Sequence, residues 1–560
     1  MPLNNTSERA ESAAELSPSG PYRALKQAGL VLLCAAWIIL GLIGHDPWKP
    51  DDAVSFGIAY DMIQHHDWVV PHLAGVPQPE RPPLFYAFAA GTGRALEGLL
   101  PLHDAARIAV GLSLAATLWL LALAGRELYG PAFRWLPVLI FVGCAGLWDR
   151  GHQLSPDVGV LAADALALYA LALGLRRPAL GGALLGLAIG AAFLCRGALG
   201  AALIGLTALL LPLFAPWRRG AFSWTLGIAI LVALPLMIAW PLALHERSPA
   251  LFEQWYEAHN LARFFGLAPG SPPAEPLYYL KNMPWFAWPA LPLALWTLWL
   301  RARGYNGRLS ATGIVLPVTM LVVCVAVLSA AAEPRANLAL PMLLPMSLLG
   351  AAEIDTLKRG SSGALDWFGI LTFGLVAVLL WGLWLESLLR GLPDPVARVF
   401  RDTQPGFRPP WEWVGFSASV LLSLLWLMLV RPARRSNRRA VLNWAAGMTL
   451  VWGLSATIWL PYVDSRRSYR PVAESLAAHL PPDSCVAGRN LGEPQRALLE
   501  YFAGVTTLRD DAPDATGCKS LLIQLGQDEP EDPPDSAWQK VWEGRRRGDN
   551  TERFVLFRRV

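Results

Sequence analysis

Apolar runs long enough to cross a bilayer constrain this chain more than any other feature. A hydrocarbon layer of about 30 Å offers no water to unpaired backbone groups, so a run of roughly 17–25 apolar residues has to become a helix there. Thirteen such runs occur in the 560 residues: 27–44, 104–124, 131–147, 157–175, 179–195, 197–215, 222–243, 284–300, 309–330, 336–352, 366–389, 412–430 and 440–461. Only Arg196 and Gly197 separate the fifth from the sixth, which reads as a membrane hairpin. Hydrophobic residues make up 54% of the chain and charged ones 16%, against roughly 25% charged in soluble domains, which excludes a soluble protein. Six cysteines are too few for a disulfide scaffold, and a net charge of 47 − 43 = +4 gives no reason to invoke nucleic acid. The fold class expected is mainly α, a polytopic membrane protein.

Loop charge orients the runs. If the N-terminus is cytoplasmic, alternate loops carry Arg126 with Arg134, Arg176 with Arg177, Arg218 with Arg219, and Arg301, Arg303 with Arg308. Lys358 with Arg359 and the cluster Arg431, Arg434, Arg435, Arg438, Arg439 continue the alternation, as the positive-inside bias requires. The first twenty residues lack a charged segment leading into a short apolar core and cleavage site, so 27–44 reads as a retained span behind a cytoplasmic tail, 1–26. The spanning domain, 27–464, then has long outward loops at 45–103, 244–283 and 390–411, and 465–560 forms a periplasmic domain. Helix-like stretches in that domain (472–480, 494–502) alternate with strand-like ones (485–487, 521–524, 554–557), which predicts a small α/β unit. Its two cysteines, Cys485 and Cys518, lie in an oxidising compartment and are candidates for a disulfide. Cys34, Cys144, Cys195 and Cys324 read as packing residues within the spans.

The outward loops hold the chemistry. Directly after the first span come His45-Asp-Pro-Trp-Lys-Pro-Asp-Asp, then Val54, Ile58 and Met62 at helical spacing, as an amphipathic helix lying in the interface would place them. Asp51 and Asp52 at the start of that helix have a bland reading as a cap and first-turn acid. Asp67-Trp68-Val-Val-Pro71 and Pro79-Glu80-Arg81-Pro82-Pro83-Leu-Phe-Tyr86 follow, a charged pair held among prolines. Arg81, Arg150, Arg196, Arg263 and Arg335 lie in outward loops or span mouths, against the orientation bias, as an anionic phosphate ligand would explain. Salt bridges to Asp51, Asp52, Asp149, Asp157 and Glu333, or snorkelling to lipid headgroups, would explain them equally well one by one.

The order Trp-x-Pro-Asp-acid, a juxtamembrane helix, Asp-Trp-x-Val-Pro and Glu-basic-Pro-Pro-x-aromatic resembles the first periplasmic loop of the lipid A aminoarabinose transferases, the ArnT-like family. These are GT-C membrane glycosyltransferases, related to the protein O-mannosyltransferases. The resemblance implies a GT-C fold, location in a bacterial inner membrane, and sugar transfer from a polyprenyl (undecaprenyl) phosphate carrier to lipid A or another envelope acceptor. It places the first acid of the family pair on Asp51, with Asp52 second, and a loop aspartate on Asp157. Donor-phosphate cations fall on Arg81, where the family has Lys, on Arg263 of His259-x-x-x-Arg263-Phe, and on Arg335. Glu80, Tyr86, His259 and Asn337 are substrate-positioning candidates. Before the tenth span, Glu333-Pro-Arg335-Ala-Asn337 departs from the family's Lys-Leu-Pro-x-Tyr-like motif.

The chemistry implied is displacement at the anomeric carbon with inversion, Asp51 facing the nucleophile and the arginines facing the leaving phosphate. No cofactor is required; the resemblance adds only a structural divalent metal at His259 with a carboxylate. His65-His66 is not a natural ligand pair, since neighbours on a helix point about 100° apart. A hydroxyl-directed transferase, acting on protein or another glycan, is the alternative within enzymes. A lipid-linked sugar flippase is the rival of another class, against which stand the absence of a repeat between chain halves and of charged residues mid-span other than Asp164. Asp164, about two turns from Asp157 on the same side of the fourth span, is expected to line the cavity.

Overall fold

The computed structural model describes residues 20–258, 264, 275–305, 307–332, 334–391, 407–431, 436–481, 485–512, 515, 517–526, 528–531, 536–547, 549 and 551–559, with side chains from 27 onward. Six described helices are long and apolar enough to cross a membrane: Leu102–Tyr129, Pro156–Leu173, Pro178–Arg196, Gly220–Arg247, Thr312–Ser329 and Arg359–Arg390. Asn437–Ser455 and Leu460–Arg467, bent by 57°, make a seventh if they act as one span. The other six predicted runs also become apolar helices: five give helices of 10–17 residues, among them Ala290–Ala302, and the first lies in helix Gly20–Ile39 of 20 residues. Helix length therefore does not support thirteen full-length spans. Hydropathy counts apolar residues whatever the backbone does, and several runs include the turns that end their helices.

The hairpin at Arg196 is present. Pro178–Arg196 ends at Gly197, whose φ of +68° a side chain would strain, and Ala198–Leu210 turns back against it. Close approach elsewhere depends on small residues: a Cβ at Gly186 would stand 2.6 Å from the Ala229 carbonyl of Gly220–Arg247. Pro156–Leu173 lies innermost, 78% buried over its apolar window, whereas Gly220–Arg247 and Arg359–Arg390 are 17% and 22% buried and turn leucines such as Leu231 and Leu375 outward.

The loop that follows the first helix packs against the helical body. It carries helix Asp51–His65, a short hairpin of β1 (His72–Leu73) and β2 (Val76–Pro77), and helix Leu84–Ala95. Val54, Ile58 and Met62 are buried as their spacing predicts, but so are Ala53, Ser55, Phe56 and Ala59. The helix is therefore enclosed rather than lying half in an interface: Glu493–Ala503 covers one side and Leu84–Ala95 another. Sequence periodicity missed this because the covering helix lies over 400 residues away.

The C-terminal segment folds as a five-stranded mixed sheet with helices Arg470–Ala477 and Glu493–Ala503. Its strands are β3 (Val486–Arg489), β4 (Thr507–Arg509), β5 (Ser520–Gly526), β6 (Trp538–Gly544) and β7 (Glu552–Arg559), in the order β4-β3-β5-β7-β6. β3 runs parallel to both neighbours, β7 antiparallel to β5 and β6. Leu522, Leu556, Phe554 and Leu498 fill the space between sheet and helices. Cys485 and Cys518 are joined as a disulfide, with Cα atoms 5.0 Å apart, while Cys34, Cys144, Cys195 and Cys324 are free and buried. Thiol labelling of denatured, unreduced protein is expected to detect four thiols, and six after reduction; six in both would refute the bridge.

Candidate active site

Asp51 and Asp52, adjacent in sequence, face different partners because successive helical positions diverge by about 100°. Pro50 caps the helix without a side-chain bond, so both acids stand in the first turn. Asp52 points into the protein, 3% exposed, where Arg107 donates to both its oxygens at 3.3 and 2.9 Å. The amides of Trp48 and Leu154 also donate to it, at 3.0 and 3.1 Å. Burial opposes ionisation of Asp52, but the Arg107 guanidinium outweighs it and holds the carboxyl below its usual range. Arg107 is 1% exposed and donates as well to Asp104 (2.9 Å) and to the His45 carbonyl (2.8 Å). Asp52 thus differs in setting from Asp51: each of its oxygens accepts two hydrogen bonds, which tie the carboxylate to its own loop, to Leu154 and to Arg107. Arg107 stands in the second turn of helix Leu102–Tyr129, near its end rather than mid-span.

Asp51 is half-buried and turned toward the chain's other polar groups. Asn337 Nδ2 donates to its Oδ2 at 2.7 Å. Burial pushes its carboxyl above the usual range and the charge of Asp157 adds to this, while Arg196, Arg335 and Arg81 act in the opposite sense. Asp157 opens helix Pro156–Leu173, where an acid is favoured. Ser155 Oγ caps that helix, and Arg196 Nε lies 3.4 Å from Asp157 Oδ1. Asp51, Asp157, Arg196 and Asn337 thus form one cluster drawn from four separate segments. Asn337 lies in the short turn Ala336–Ala339, which Tyr279 braces through bonds of 3.2 Å to both the amide and the carbonyl of Arg335.

Arg81 extends from the same side. It pairs with Glu80 at 3.4 Å and with Glu493 of the C-terminal domain at 2.6 Å, and it lies against Tyr86. Burial pushes the Tyr86 hydroxyl up to about 12, with Asp157 adding to this and Arg81 and Arg196 opposing, so it remains a proton donor at neutral pH. Two small cavities are lined by residues of the cluster, and a larger cleft lies by the Ala336–Ala339 turn. Asp51, Lys49, Asp149 and Gln153 line one of about 20 Å³; Asp157, Arg196 and Asn337 line one of about 10 Å³. A larger cleft of about 310 Å³ has Arg150 and Asn282 among Tyr279, Phe286, Met283 and Met342.

His259 and Arg263 lie outside the described residues, as does Glu333. Among the described residues no group of three His, Cys, Asp or Glu side chains could hold a metal. The implied metal at His259 therefore has no described donor set, and no step is routed through one. Asp164 is fully buried, with both oxygens lacking a hydrogen-bond partner among the described residues, so it is a core residue and not an exposed part of the cluster. Sequence reading missed Lys49, Arg107 and Glu493; the one available signal was Arg107 itself, a charge inside an apolar run.

No protein-family model matches the chain. It is 30% identical over 365 residues to the undecaprenyl phosphate-alpha-4-amino-4-deoxy-L-arabinose arabinosyl transferase of Pseudomonas aeruginosa strain UCBPP-PA14, covering 63% of this chain and 64% of that protein. The like-named protein of Edwardsiella ictaluri is 27% identical over 383 residues, covering 63% and 65%. The match thus spans just under two thirds of these relatives' length. The solved structure of ArnT from Cupriavidus metallidurans bound to undecaprenyl phosphate superposes over 96% of this chain and 98% of that one, at 17% identity and a TM-score of 0.66. The chain is similar in sequence to these transferases and shares the fold of the ArnT structure. It is a multi-pass membrane protein, and the loop motif around Asp51 and Arg81 lies in a protein of the architecture that motif implied.

Proposed function

We propose that this ArnT-like protein is a glycosyltransferase that moves a sugar from undecaprenyl phosphate to an acceptor at the outer face of the inner membrane, lipid A phosphate first among them. The observation that carries this reading is the cluster itself: Asp51, held by Asn337 and beside Asp157, among the cations Arg81, Arg196 and Arg335. The N-terminus is then cytoplasmic and the C-terminal domain periplasmic, as the loop charges suggest.

In this mechanism an acceptor oxygen attacks the anomeric carbon as the bond from that carbon to the carrier phosphate breaks. The electron pair leaves with the phosphate, and Arg81 and Arg335 offset the charge that develops there. A phosphate acceptor is already anionic, so Asp51 only orients it. A hydroxyl acceptor has to lose a proton, and Asp51 Oδ would accept it. The upward shift of the Asp51 carboxyl favours this second, hydroxyl-directed reading, because a base works best with a pKa nearer the operating pH.

The test is mass spectrometry of lipid A and envelope glycans from cells lacking the gene. Loss of a sugar mass from lipid A is expected, restored by the wild-type gene and reduced at least about tenfold with Arg81→Ala, whose lost guanidinium no longer stabilises the leaving group. A mass lost from another glycan would select the hydroxyl reading. Unchanged envelope lipids and glycans would refute both.

A further inference from the structure

We infer that Glu552, in the C-terminal sheet, is a positioning residue for transfer: through Lys49 it holds the backbone turn that presents Asp51. This rests on the reading of Asp51 as the group facing the acceptor.

Glu552 begins β7 and is 7% exposed, yet five side chains donate to it. Gln495 and Gln524 donate to Oε2 at 3.0 and 2.8 Å. Oε1 accepts from the Tyr469 hydroxyl and from Arg546 Nε at 3.3 Å. The fifth donor comes from outside the domain: Lys49 Nζ, 2.7 Å from Oε1. Four donors already satisfy this carboxylate within its own domain, so the Lys49 bond is not needed to bury it. What that bond adds is a link, across 503 positions of sequence, to a residue two before Asp51.

The link joins a turn that is also closed locally, the Trp48 amide donating to Asp52 Oδ2 at 3.0 Å and the Ala53 amide to the Trp48 carbonyl at 2.9 Å. Upstream, the Asp46 amide and Trp48 Nε1 both donate to Asp464 Oδ1 at 2.9 Å, and Asp46 pairs with Arg470. Downstream, Asp52 is locked to Arg107. Between these anchors lie Lys49, Pro50 and Asp51, whose side-chain hydrogen bonds among the described residues run from Lys49 to Glu552 and from Asn337 to Asp51. Asp51 also lines a cavity together with Lys49. A shift of about 1 Å at such a group is enough to lower a rate about 100-fold. A charge-assisted bond from a buried acceptor suits that task better than a contact between exposed groups, which is worth little.

The test uses the full-length protein with Lys49→Met, which removes the ammonium, keeps an apolar stem, and leaves Glu552 its four other donors. Cells carrying Lys49→Met are expected to restore the sugar-bearing envelope lipid at least about tenfold less well than wild type at equal protein level. Lys49→Arg is expected to restore most of it. In purified protein, amide hydrogen exchange is expected to rise in Lys49→Met across 46–56 and stay unchanged in β3 and β5. Near-wild-type restoration by Lys49→Met, equal loss with Lys49→Arg, or exchange rising in the sheet as well would each overturn the inference. Asp51→Asn in the same cells separates the failures. If it is inactive while Lys49→Met is normal, only the positioning role fails; if it is active, the reading of the site fails and takes this inference with it.

Discussion

If the acceptor is a hydroxyl, replacing Asp51 with asparagine is expected to lower transfer by about 10²–10⁴-fold, the range for losing a positioned proton acceptor, while the protein still folds. The substitution keeps size and shape, and an asparagine oxygen can still accept from Asn337 Nδ2, now 2.7 Å from Oδ2. It removes the negative charge, which is what a hydroxyl nucleophile needs, and with it the only basic oxygen that the Asn337 turn holds in place. The pH dependence of the wild type follows from the same environment. Burial and the charge of Asp157 raise the Asp51 carboxyl, so as pH falls it takes up a proton earlier than an ordinary carboxylate. The acid limb of the rate profile is therefore expected above the usual carboxylate range, and absent from the residual activity of Asp51→Asn. Initial rates across pH, with protein quantified, check both points. Activity within about threefold of wild type would remove Asp51 from the mechanism.

Arg107→Leu is expected to have the largest effect on folding. Its guanidinium, 1% exposed, neutralises Asp52 and Asp104 and satisfies the His45 carbonyl. A leucine would leave two buried carboxylates with no cation between them, and removing one partner of a buried pair costs about 3–5 kcal/mol. Lysine is no substitute, since a single ammonium cannot replace a fork donating to three acceptors. Yield of monodisperse protein in detergent and thermal stability measure the effect. Yield and melting close to wild type would show that the cluster does not hold the loop. Arg107→Leu combined with Asp52→Leu and Asp104→Leu is expected to recover part of the loss, because the uncompensated charges are then gone.

Much of the fold was legible in the chain. All thirteen apolar runs are helical, because a run that avoids charge over five turns has no other way to satisfy its backbone in an apolar medium. The hairpin at Arg196–Gly197 was legible because glycine permits the reversed backbone there. The helices and three of the strands of the C-terminal domain follow local pattern. Span lengths were not legible, since hydropathy cannot see where a helix stops inside an apolar stretch. The first-loop helix was misjudged for a related reason: its apolar face was correctly placed, but nothing local announces that Glu493–Ala503 covers another side.

The site divides in the same way. Residue types and their order around Asp51, Glu80 and Arg81 lie within forty positions of one loop, so the sequence by itself determined that a carboxylate and a basic residue share the loop after the first apolar run. It could not determine which of two adjacent acids is free to react. That was decided by Arg107, 55 positions from Asp52, and by Asn337, 286 positions from Asp51. The contacts of Arg81 with Glu493 and of Lys49 with Glu552 span 412 and 503 positions. Periodicity and spacing report forces along one segment, whereas the ionisation and orientation of a carboxylate depend on charges and dipoles within a few ångströms in space. Only the packing of distant segments brings those groups together, and so only the tertiary structure separated the acid paired with Arg107 from the one that Asn337 holds.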